Sequence, residues 1–299
     1  MANDKQVHAE EVTTDAALAR RLLAAQFPRW AALPLARVHA DSTDNDMYRL
    51  GADMAVRLPR RAGAVTPMDK EHEWLPRLAP HLPLPVPLAR AKGAPEGDYP
   101  YPWSVVTWIE GAPPPPRLDD RAFARDLAAF VTALHALDAS TGPAPGAHNF
   151  WRGMPLARFD ATLRQRFDGL ADLAEIEEVV LEWRKASLLP AWSGAPVWIH
   201  GDIQRGNLLI RDGRLAGVID WSALGVGDPA GDLSVAWNLF GPDARAEYRT
   251  AMQVDHATWA RGRAWALIEG VFALSYYRGK NEVIAEAGRR VIEAVLADR

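Results

Sequence analysis

The chain has 299 residues, of which 48% are hydrophobic and 24% charged, and its formal net charge is -4. These proportions are ordinary for a globular protein, and a slightly acidic chain lacks the basic surface that nucleic-acid binding requires. The absence of cysteine excludes disulfides, thiolate nucleophiles and cysteine-ligated zinc, so any metal should be a hard cation held by oxygen atoms. There is no apolar run of transmembrane length and no signal-peptide pattern, so we expect a cytoplasmic protein without a membrane partner.

The first 110 residues predict a small lobe of helices and strands. The predicted helices have apolar residues at helical spacing, and the predicted strands are bounded by glycine or proline. In chain order the elements are a helix over 15–27, a hairpin of strands over 48–50 and 54–58, a short helix around Glu71, and a strand over 103–109.

Beyond a stiff proline segment at 113–116 the pattern becomes mostly helical, which predicts a second lobe over 111–299. A helix is predicted over 120–137, with Asp119 and Asp120 as candidate N-caps, and His135 lies beside its apolar stripe as a structural residue. Asp228 followed by proline predicts a further helix start, with the helix running to Gly241.

The segment from Val197 to Trp221 carries the chemistry. Asp202 follows an apolar trio that predicts a buried strand. Two further strands flank Asp212-Gly213, which is a two-residue hairpin signal. Because a hairpin brings its open ends together, Asn207, which enters the first strand, and Asp220, which leaves the second, should be neighbours.

Phosphoryl transfer requires this set of side chains. One carboxylate orients and deprotonates the accepting hydroxyl, and this role falls to Asp202. An amide and a second carboxylate hold Mg²⁺ against the phosphates, and these are Asn207 and Asp220. Taken singly, each of the three has a structural interpretation as a turn or capping residue. Their joint order and spacing, with Asp202 five residues before Asn207, are those of a kinase catalytic loop.

The segments 200–207, 218–221 and 227–233 resemble the aminoglycoside phosphotransferase family, which has macrolide and choline kinases as relatives. The resemblance implies an α+β, bilobal, protein-kinase-like fold with a small antiparallel N-terminal sheet lobe and a larger, mostly helical C-terminal lobe. It also implies ATP or GTP as phosphoryl donor, bound between lobes 1–110 and 111–299, and a small-molecule acceptor on the helical lobe.

This chain departs from the kinase pattern at the strand lysine that grips the nucleotide phosphates. Arg57 stands in its place, and a guanidinium can bind phosphate in bidentate fashion. Glu71 on the following helix is the expected partner of Arg57, with Glu73 as the alternative.

The phosphate loop is a second departure, since residues 41–46 contain no glycine. Ser42 and Thr43 could donate to phosphates, although a plain polar turn explains them equally well. The purine is expected against the backbone of Thr107 to Ile109, and such readout leaves ATP and GTP unresolved.

The acceptor candidates lie after Asp220 and combine acidic with aromatic side chains; they are Asp232, Glu269, Trp237 and Tyr276. Asp232 also has a structural interpretation, four residues after the helix start. An acidic pocket favours a polycationic aminoglycoside, whereas an aromatic one favours a macrolide or nucleoside antibiotic. We therefore predict an O-phosphotransferase acting on an aminoglycoside-like antibiotic. Another small metabolite as acceptor, a non-catalytic nucleotide-binding protein and a metal-assisted hydrolase remain as alternatives.

Overall fold

The computed structural model describes residues 11–38 and 44–298. The chain divides into two compact units, Met1–Pro80 with Pro85–Glu110 and His81–Leu84 with Gly111–Arg299, and the following account covers only the described residues of each. The assignment of nucleotide binding to 1–110 and catalysis to 111–299 stays a prediction.

The first unit is built on an antiparallel sheet of five strands in the order β1-β2-β3-β5-β4. Its helices and strands are α1 Ala16–Gln26, β1 Leu35–Val38, β2 Asn45–Leu50, β3 Met54–Pro59, α2 Val65–Leu78, β4 Ala89–Gly93 and β5 Trp103–Thr107. Leu22 and Leu23 of α1 pack in one apolar cluster with Tyr48, Val56 and Trp103 of the sheet. The predicted helix and hairpin of this unit are therefore present.

The second unit is mostly helical, with two short two-stranded sheets, β6-β9 and β7-β8. Its elements are α3 Arg121–His135, α4 Asp160–Asp168, α5 Ile176–Ser187, β6 Val197–Ile199, β7 Leu208–Arg211, β8 Arg214–Val218, β9 Gly225–Gly227, α6 Val235–Asn238, α7 Pro242–Met252, α8 His256–Tyr277 and α9 Glu282–Ala297. Asp120 caps α3 by accepting hydrogen bonds from the first-turn amides, as predicted. None of the helices in the described part of the chain combines the length and apolarity needed to cross a membrane.

Two predicted elements have different bounds in the structure. The strand predicted over 103–109 spans Trp103–Thr107 in the structure, and the Trp108 amide donates to the Asp53 carbonyl at the next position of the β3-β5 register. The helix predicted from Asp228 to Gly241 is a 3₁₀ turn over Pro229–Leu233 followed by the single-turn α6. Asp228 does cap this segment, but its residues are almost all buried, so packing on several sides overrides the propensity for one regular helix.

Candidate active site

The β7-β8 hairpin places two of the predicted site residues at its open end. Leu208 pairs with Val218, and Asp212 and Gly213 form the turn with φ of 52° and 76°, the left-handed values that a tight hairpin needs. The Ile219 amide donates to the Asn207 carbonyl over 2.9 Å. Asn207 therefore lies directly beside the residue that precedes Asp220, as the hairpin prediction requires.

Asp202 lies in the loop after β6, with its two carboxylate oxygens in different surroundings. Oδ2 accepts hydrogen bonds from the Asn207 side-chain amide at 2.9 Å and from the Gln204 amide at 3.1 Å. Oδ1 is 3.8 Å from the Arg152 guanidinium, and 29% of the Asp202 side chain is exposed. The arrangement holds the carboxylate by one oxygen and leaves the other accessible.

His200 connects this loop to the end of β8. Its buried ring accepts a hydrogen bond from the Asp202 amide at Nδ1 over 3.3 Å, and Nε2 lies 3.1 Å from the Ile219 carbonyl. A carbonyl can only accept, so Nε2 is the donor in this contact. The imidazole thereby fixes the loop that carries Asp202 relative to the residue before Asp220.

Asp232 supports the same loop from behind. Its carboxylate accepts from the amides of His200 at 3.0 Å and Gly201 at 2.7 Å, and from His135 Nε2 at 3.1 Å. Gly201 has φ +80°, and a Cβ there would lie 2.6 Å from the Ala223 carbonyl oxygen, so only glycine fits. Asp232 has no exposed surface, which corrects its prediction as a substrate contact: it holds the backbone just before Asp202.

Asp220 follows β8 in the left-handed region, with φ 56°. The next residue, Trp221, is fully buried and its ring lies 4.6 Å from that of His200, which anchors the turn in the core. Aspartate tolerates this conformation better than most residues, and the Asp220 carboxylate accepts a hydrogen bond from the Ser222 amide over 3.3 Å.

The oxygen donors at the hairpin end are suited to a hard cation. Because the Asn207 amide nitrogen donates to Asp202, its oxygen is left for a ligand, and Asp220 adds a carboxylate. No cluster of three or more His, Cys, Asp or Glu side chains suited to a metal occurs within residues 11–38 and 44–298. Mg²⁺ suits such a sparse set, since it takes one or two protein ligands and completes its shell with phosphates and water.

Of the remaining acceptor candidates, Glu269 contacts Arg152, Trp237 lies in the core and Tyr276 lies at the end of α8. Glu269 on α8 lies 3.0 Å from Arg152 Nη1. Trp237 is buried, donates to Asp298 over 2.8 Å and packs on another tryptophan, so its prediction as a substrate contact is wrong. Tyr276 is half-buried at the end of α8, with Lys280 Nζ 3.9 Å from its ring centre.

Burial is the main cause that raises the pKa of Glu269, to about 7. The negative charge of Asp202 acts in the same direction, and the positive charge of Arg152 opposes both. Asp202, Arg152 and Glu269 therefore form one electrostatic cluster.

Arg152 is the site residue that sequence reasoning missed. It lies just after a stretch rich in glycine and proline at 142–149, between α3 and α4. The signal was present in the adjacent Phe150-Trp151-Arg152, because large aromatics beside an arginine are unusual in a loop that only connects. Without the fold, nothing related this loop to Asp202.

In the first unit, the predicted pair of Arg57 and Glu71 is present. Arg57 on β3 donates through Nη1 to the Glu71 carboxylate on α2, and both side chains are buried. Glu73, the alternative partner, lies 3.9 Å from Arg77 on the exposed side of the same helix. The helical register of the prediction was therefore correct, while the role of the pair in binding phosphate stays a prediction.

Of the other predicted nucleotide contacts, the structure describes Thr107 and Ile109. Ser42 and Thr43 lie outside the described residues. The Thr107 amide donates to the Leu88 carbonyl and its hydroxyl accepts from the Leu88 amide, each over 2.8 Å. The amide is therefore not available to a purine, whereas the hydroxyl keeps its proton to donate, and Thr107 stays a predicted contact. Ile109 lies beyond the end of β5 and is half-buried, and it stays a predicted contact.

Comparison with known proteins gives matches at the level of family and of fold. The profile of the family described as "Phosphotransferase enzyme family" matches residues 37–265. Uncharacterized protein YcbJ of Bacillus subtilis (strain 168) is 28% identical over 237 residues, which are 73% of this chain and 72% of that protein. Aminoglycoside 3'-phosphotransferase of Escherichia coli is 29% identical over 121 residues, 38% of this chain and 42% of that protein.

A solved structure also matches nearly the whole chain. The GDP and kanamycin complex of APH(2")-IIia superposes with a TM-score of 0.75 at 18% identity, covering 94% of this chain and 99% of that one. At this identity, the similarity concerns the fold.

Proposed function

The chain belongs to the phosphotransferase enzyme family, and we propose that it transfers the γ-phosphoryl group of ATP or GTP to a hydroxyl of a small molecule with Asp202 as catalytic base. The family match agrees with the resemblance found in the sequence. The structural similarity supports a protein-kinase-like fold with a five-stranded N-terminal sheet and a helical C-terminal part.

The observation that carries the proposal is that the two carboxylate oxygens of Asp202 have different surroundings. Asn207 and Gln204 hold Oδ2, and Oδ1 remains for the acceptor. In the proposed step Oδ1 takes the hydroxyl proton while the hydroxyl oxygen forms a bond to the γ-phosphorus. The bond from that phosphorus to the β,γ-bridging oxygen breaks, and its electron pair leaves with the nucleoside diphosphate.

Asn207 and Asp220 would hold Mg²⁺ in this proposal. When bound, the ion supplies positive charge that offsets the charge of the phosphates. The chain's own contribution is the alignment of the two ligands. The hydrogen bond from Ile219 to Asn207 and the contact of His200 with the Ile219 carbonyl hold them on one rigid loop.

The nucleotide is proposed to be gripped by Arg57 and read near Ile109. A guanidinium held by Glu71 is preorganised for a phosphate, because its orientation is fixed before the ligand binds. The GDP in the similar solved structure supports a nucleotide donor for this chain as well.

For the acceptor we propose an aminoglycoside-like antibiotic, on the strength of the aminoglycoside phosphotransferase among the relatives and the kanamycin in the similar structure. The acids of this chain add little support, since Asp232 is buried and Glu269 is paired with Arg152. A macrolide, a nucleoside antibiotic or another metabolite is therefore the second class to test. A protein that binds nucleotide without turnover is disfavoured, because its site would not need the ordered set of Asp202, Asn207 and Asp220.

A panel of antibiotics and hydroxylated metabolites tests the proposal. The measurement is acceptor-dependent release of ADP or GDP, with the phosphorylated acceptor identified by mass, and the Asp202→Asn variant is the control. Phosphorylated acceptor with the wild type alone supports the proposal. Free phosphate without acceptor modification would favour the hydrolase, and no turnover would favour the non-catalytic protein.

Ionic strength separates the two acceptor classes once a substrate is found. A KM that rises with salt indicates attraction between a cationic acceptor and acidic side chains, because added salt screens that attraction. A KM that stays constant from low to high salt excludes an acidic pocket and favours apolar contacts.

A further inference from the structure

Arg152 lies between two carboxylates beside the proposed base. Its Nη2 is 3.8 Å from Asp202 Oδ1, its Nη1 is 3.0 Å from Glu269 Oε1, and its guanidinium carbon is 5.2 Å from the ring centre of Trp265. Only 15% of the Arg152 side chain is exposed. The charge is therefore held at one place by groups from α8 and acts in a partly desolvated setting.

The distance to Asp202 has a specific consequence. At 3.8 Å the guanidinium is too far for a hydrogen bond to Oδ1 but close enough for strong electrostatic attraction. The hydrogen bonds of Asn207 and Gln204 go to Oδ2. Arg152 thus stabilises the negative charge of the carboxylate without occupying the oxygen that a hydroxyl must reach.

The loop that carries Arg152 is built to hold it. Buried Asn149 accepts from the Gly146 amide at 3.0 Å and donates to the Arg152 carbonyl at 3.1 Å. On the other side, the Gly153 carbonyl accepts from the Asp228 amide at 3.0 Å. These bonds fix the backbone on both sides of the Arg152 side chain.

The same loop contains two strained residues. Phe150 and Trp151 have φ of 54° and 56°, and both side chains are exposed, at 54% and 36%. Consecutive aromatic residues in the left-handed region are unfavourable and persist only where the surroundings impose them. Since these two side chains gain little from burial, the strain is better explained by the placement of the next residue.

Glu269 completes the arrangement from α8. It forms its ion pair with Arg152 Nη1, whereas Nη2 is the nitrogen near Asp202. Two carboxylates in this partly buried cluster would repel each other, and the guanidinium between them reduces that repulsion. Glu269 therefore both tethers Arg152 and depends on it.

We propose that Arg152, tethered by Glu269, is a positioning residue that holds the Asp202 carboxylate in place with Oδ1 open to the phosphoryl acceptor. The inference rests on the proposed function, in which Asp202 is the base. It adds to the proposed site of Asp202, Asn207 and Asp220 a cationic residue from a loop about 50 residues earlier in the chain.

The test compares Arg152→Met, Arg152→Lys and Glu269→Gln with a matched control, Arg158→Met. Arg158 is exposed on the same loop region, with its guanidinium over the Trp151 ring, and is outside the proposed machinery. The readout is acceptor-dependent release of ADP or GDP from the Mg²⁺ nucleotide, with the acceptor that the panel of antibiotics and metabolites identifies. Thermal unfolding is measured for every variant.

We expect Arg152→Met to lower kcat by about 10- to 100-fold with the nucleotide KM within about twofold of wild type, as misplacement of a reacting group does. Arg152→Lys, which keeps the charge, should recover most of kcat, and Arg158→Met should match wild type. Glu269→Gln should lower kcat by a smaller factor than Arg152→Met. In an Asp202→Asn background, Arg152→Met should have little further effect, because the group that it positions is already lost.

The outcomes distinguish this inference from the function on which it rests. Full turnover in Asp202→Asn, or no wild-type turnover, would overturn both. Loss in Asp202→Asn with wild-type kcat in Arg152→Met would overturn the inference alone. The inference would also be overturned if Arg152→Lys were as inactive as Arg152→Met, which would indicate a structural role. Fully additive losses for Arg152→Met and Asp202→Asn would overturn it too, because they would show that the two residues act independently. If Arg152→Met does not fold, the Arg152→Lys and Glu269→Gln variants decide. A wild-type kcat in Glu269→Gln would overturn the proposal that Glu269 tethers Arg152. A lower kcat in Glu269→Gln together with activity in Arg152→Lys would support it.

Discussion

Glu269 makes the stability of the protein depend on pH in a direction that can be calculated. Burial raises its pKa from the ordinary value of 4.5 to about 7, so the folded protein holds this proton more tightly than the unfolded chain does. The free energy of unfolding therefore falls as pH rises from 4.5 through 7. The Glu269→Gln variant carries no such ionisation and should not show this fall.

The size of the effect follows from the two pKa values. The gap between 4.5 and about 7, at about 1.36 kcal/mol for each pH unit, corresponds to about 3 kcal/mol. Because 17% of the Glu269 side chain is exposed, part of the charge remains hydrated, and we expect about 2 kcal/mol of this between pH 5 and pH 8. The stability of Glu269→Gln relative to wild type should increase by that amount over the interval.

Urea unfolding of both proteins at pH 5, 6, 7 and 8 measures this difference. All other titrating groups are common to the two proteins, so their contributions largely cancel in the comparison. The loss of the ion pair between Glu269 and Arg152 is already included in the expected stability difference. A stability difference that stays constant from pH 5 to pH 8 would refute the reasoning. It would mean that Glu269 is hydrated or that Arg152 fully compensates its charge.

The remaining predictions concern residues that the sequence singled out. Asp202→Asn should lower kcat by about 10²-fold or more with an unchanged unfolding temperature, because it removes the proton acceptor and little volume; near-normal turnover in a steady-state assay would refute its role as base. Asp220→Ala should abolish Mg²⁺-dependent nucleotide binding in calorimetry more fully than Asn207→Ala, since it removes a charge as well as a ligand, and unchanged affinity in both would exclude the metal site. Arg57→Ala and Glu71→Ala should each lower kcat/KM, and the double variant should lose little more, because each residue orients the other in a buried ion pair; fully additive losses would show that the two do not cooperate.

The parts of the site that could be predicted are those built by short-range chain geometry. The hairpin between Asn207 and Asp220 follows from strand alternation around Asp212-Gly213, and the structure reproduces it. Helix starts at Asp15 and Asp120 were also predictable, because a side chain that caps its own first turn needs no distant partner.

Where tertiary packing competes with local preference, the prediction failed. The segment after Asp228 has a good cap and a proline at the first position, yet it forms a 3₁₀ turn and a single α turn because it is buried on several sides. Burial also excludes Trp237 and Asp232 as acceptor contacts, and for Asp232 it agrees with the structural interpretation. Their residue types suit a substrate pocket, but their burial places one in the core and the other behind the catalytic loop.

The sequence by itself determined the chemistry of the proposed site and the order of its parts. Asp202, Asn207 and Asp220 lie within one short segment, and the hairpin that joins the last two is formed by strands and a turn adjacent in the chain. Only the tertiary structure decided what surrounds them. Arg152 and Glu269 come from a loop and a helix far away along the chain, and nothing local relates either to Asp202. Their meeting depends on how the helices of the second unit pack, because long-range contacts form through packing rather than through local backbone preference.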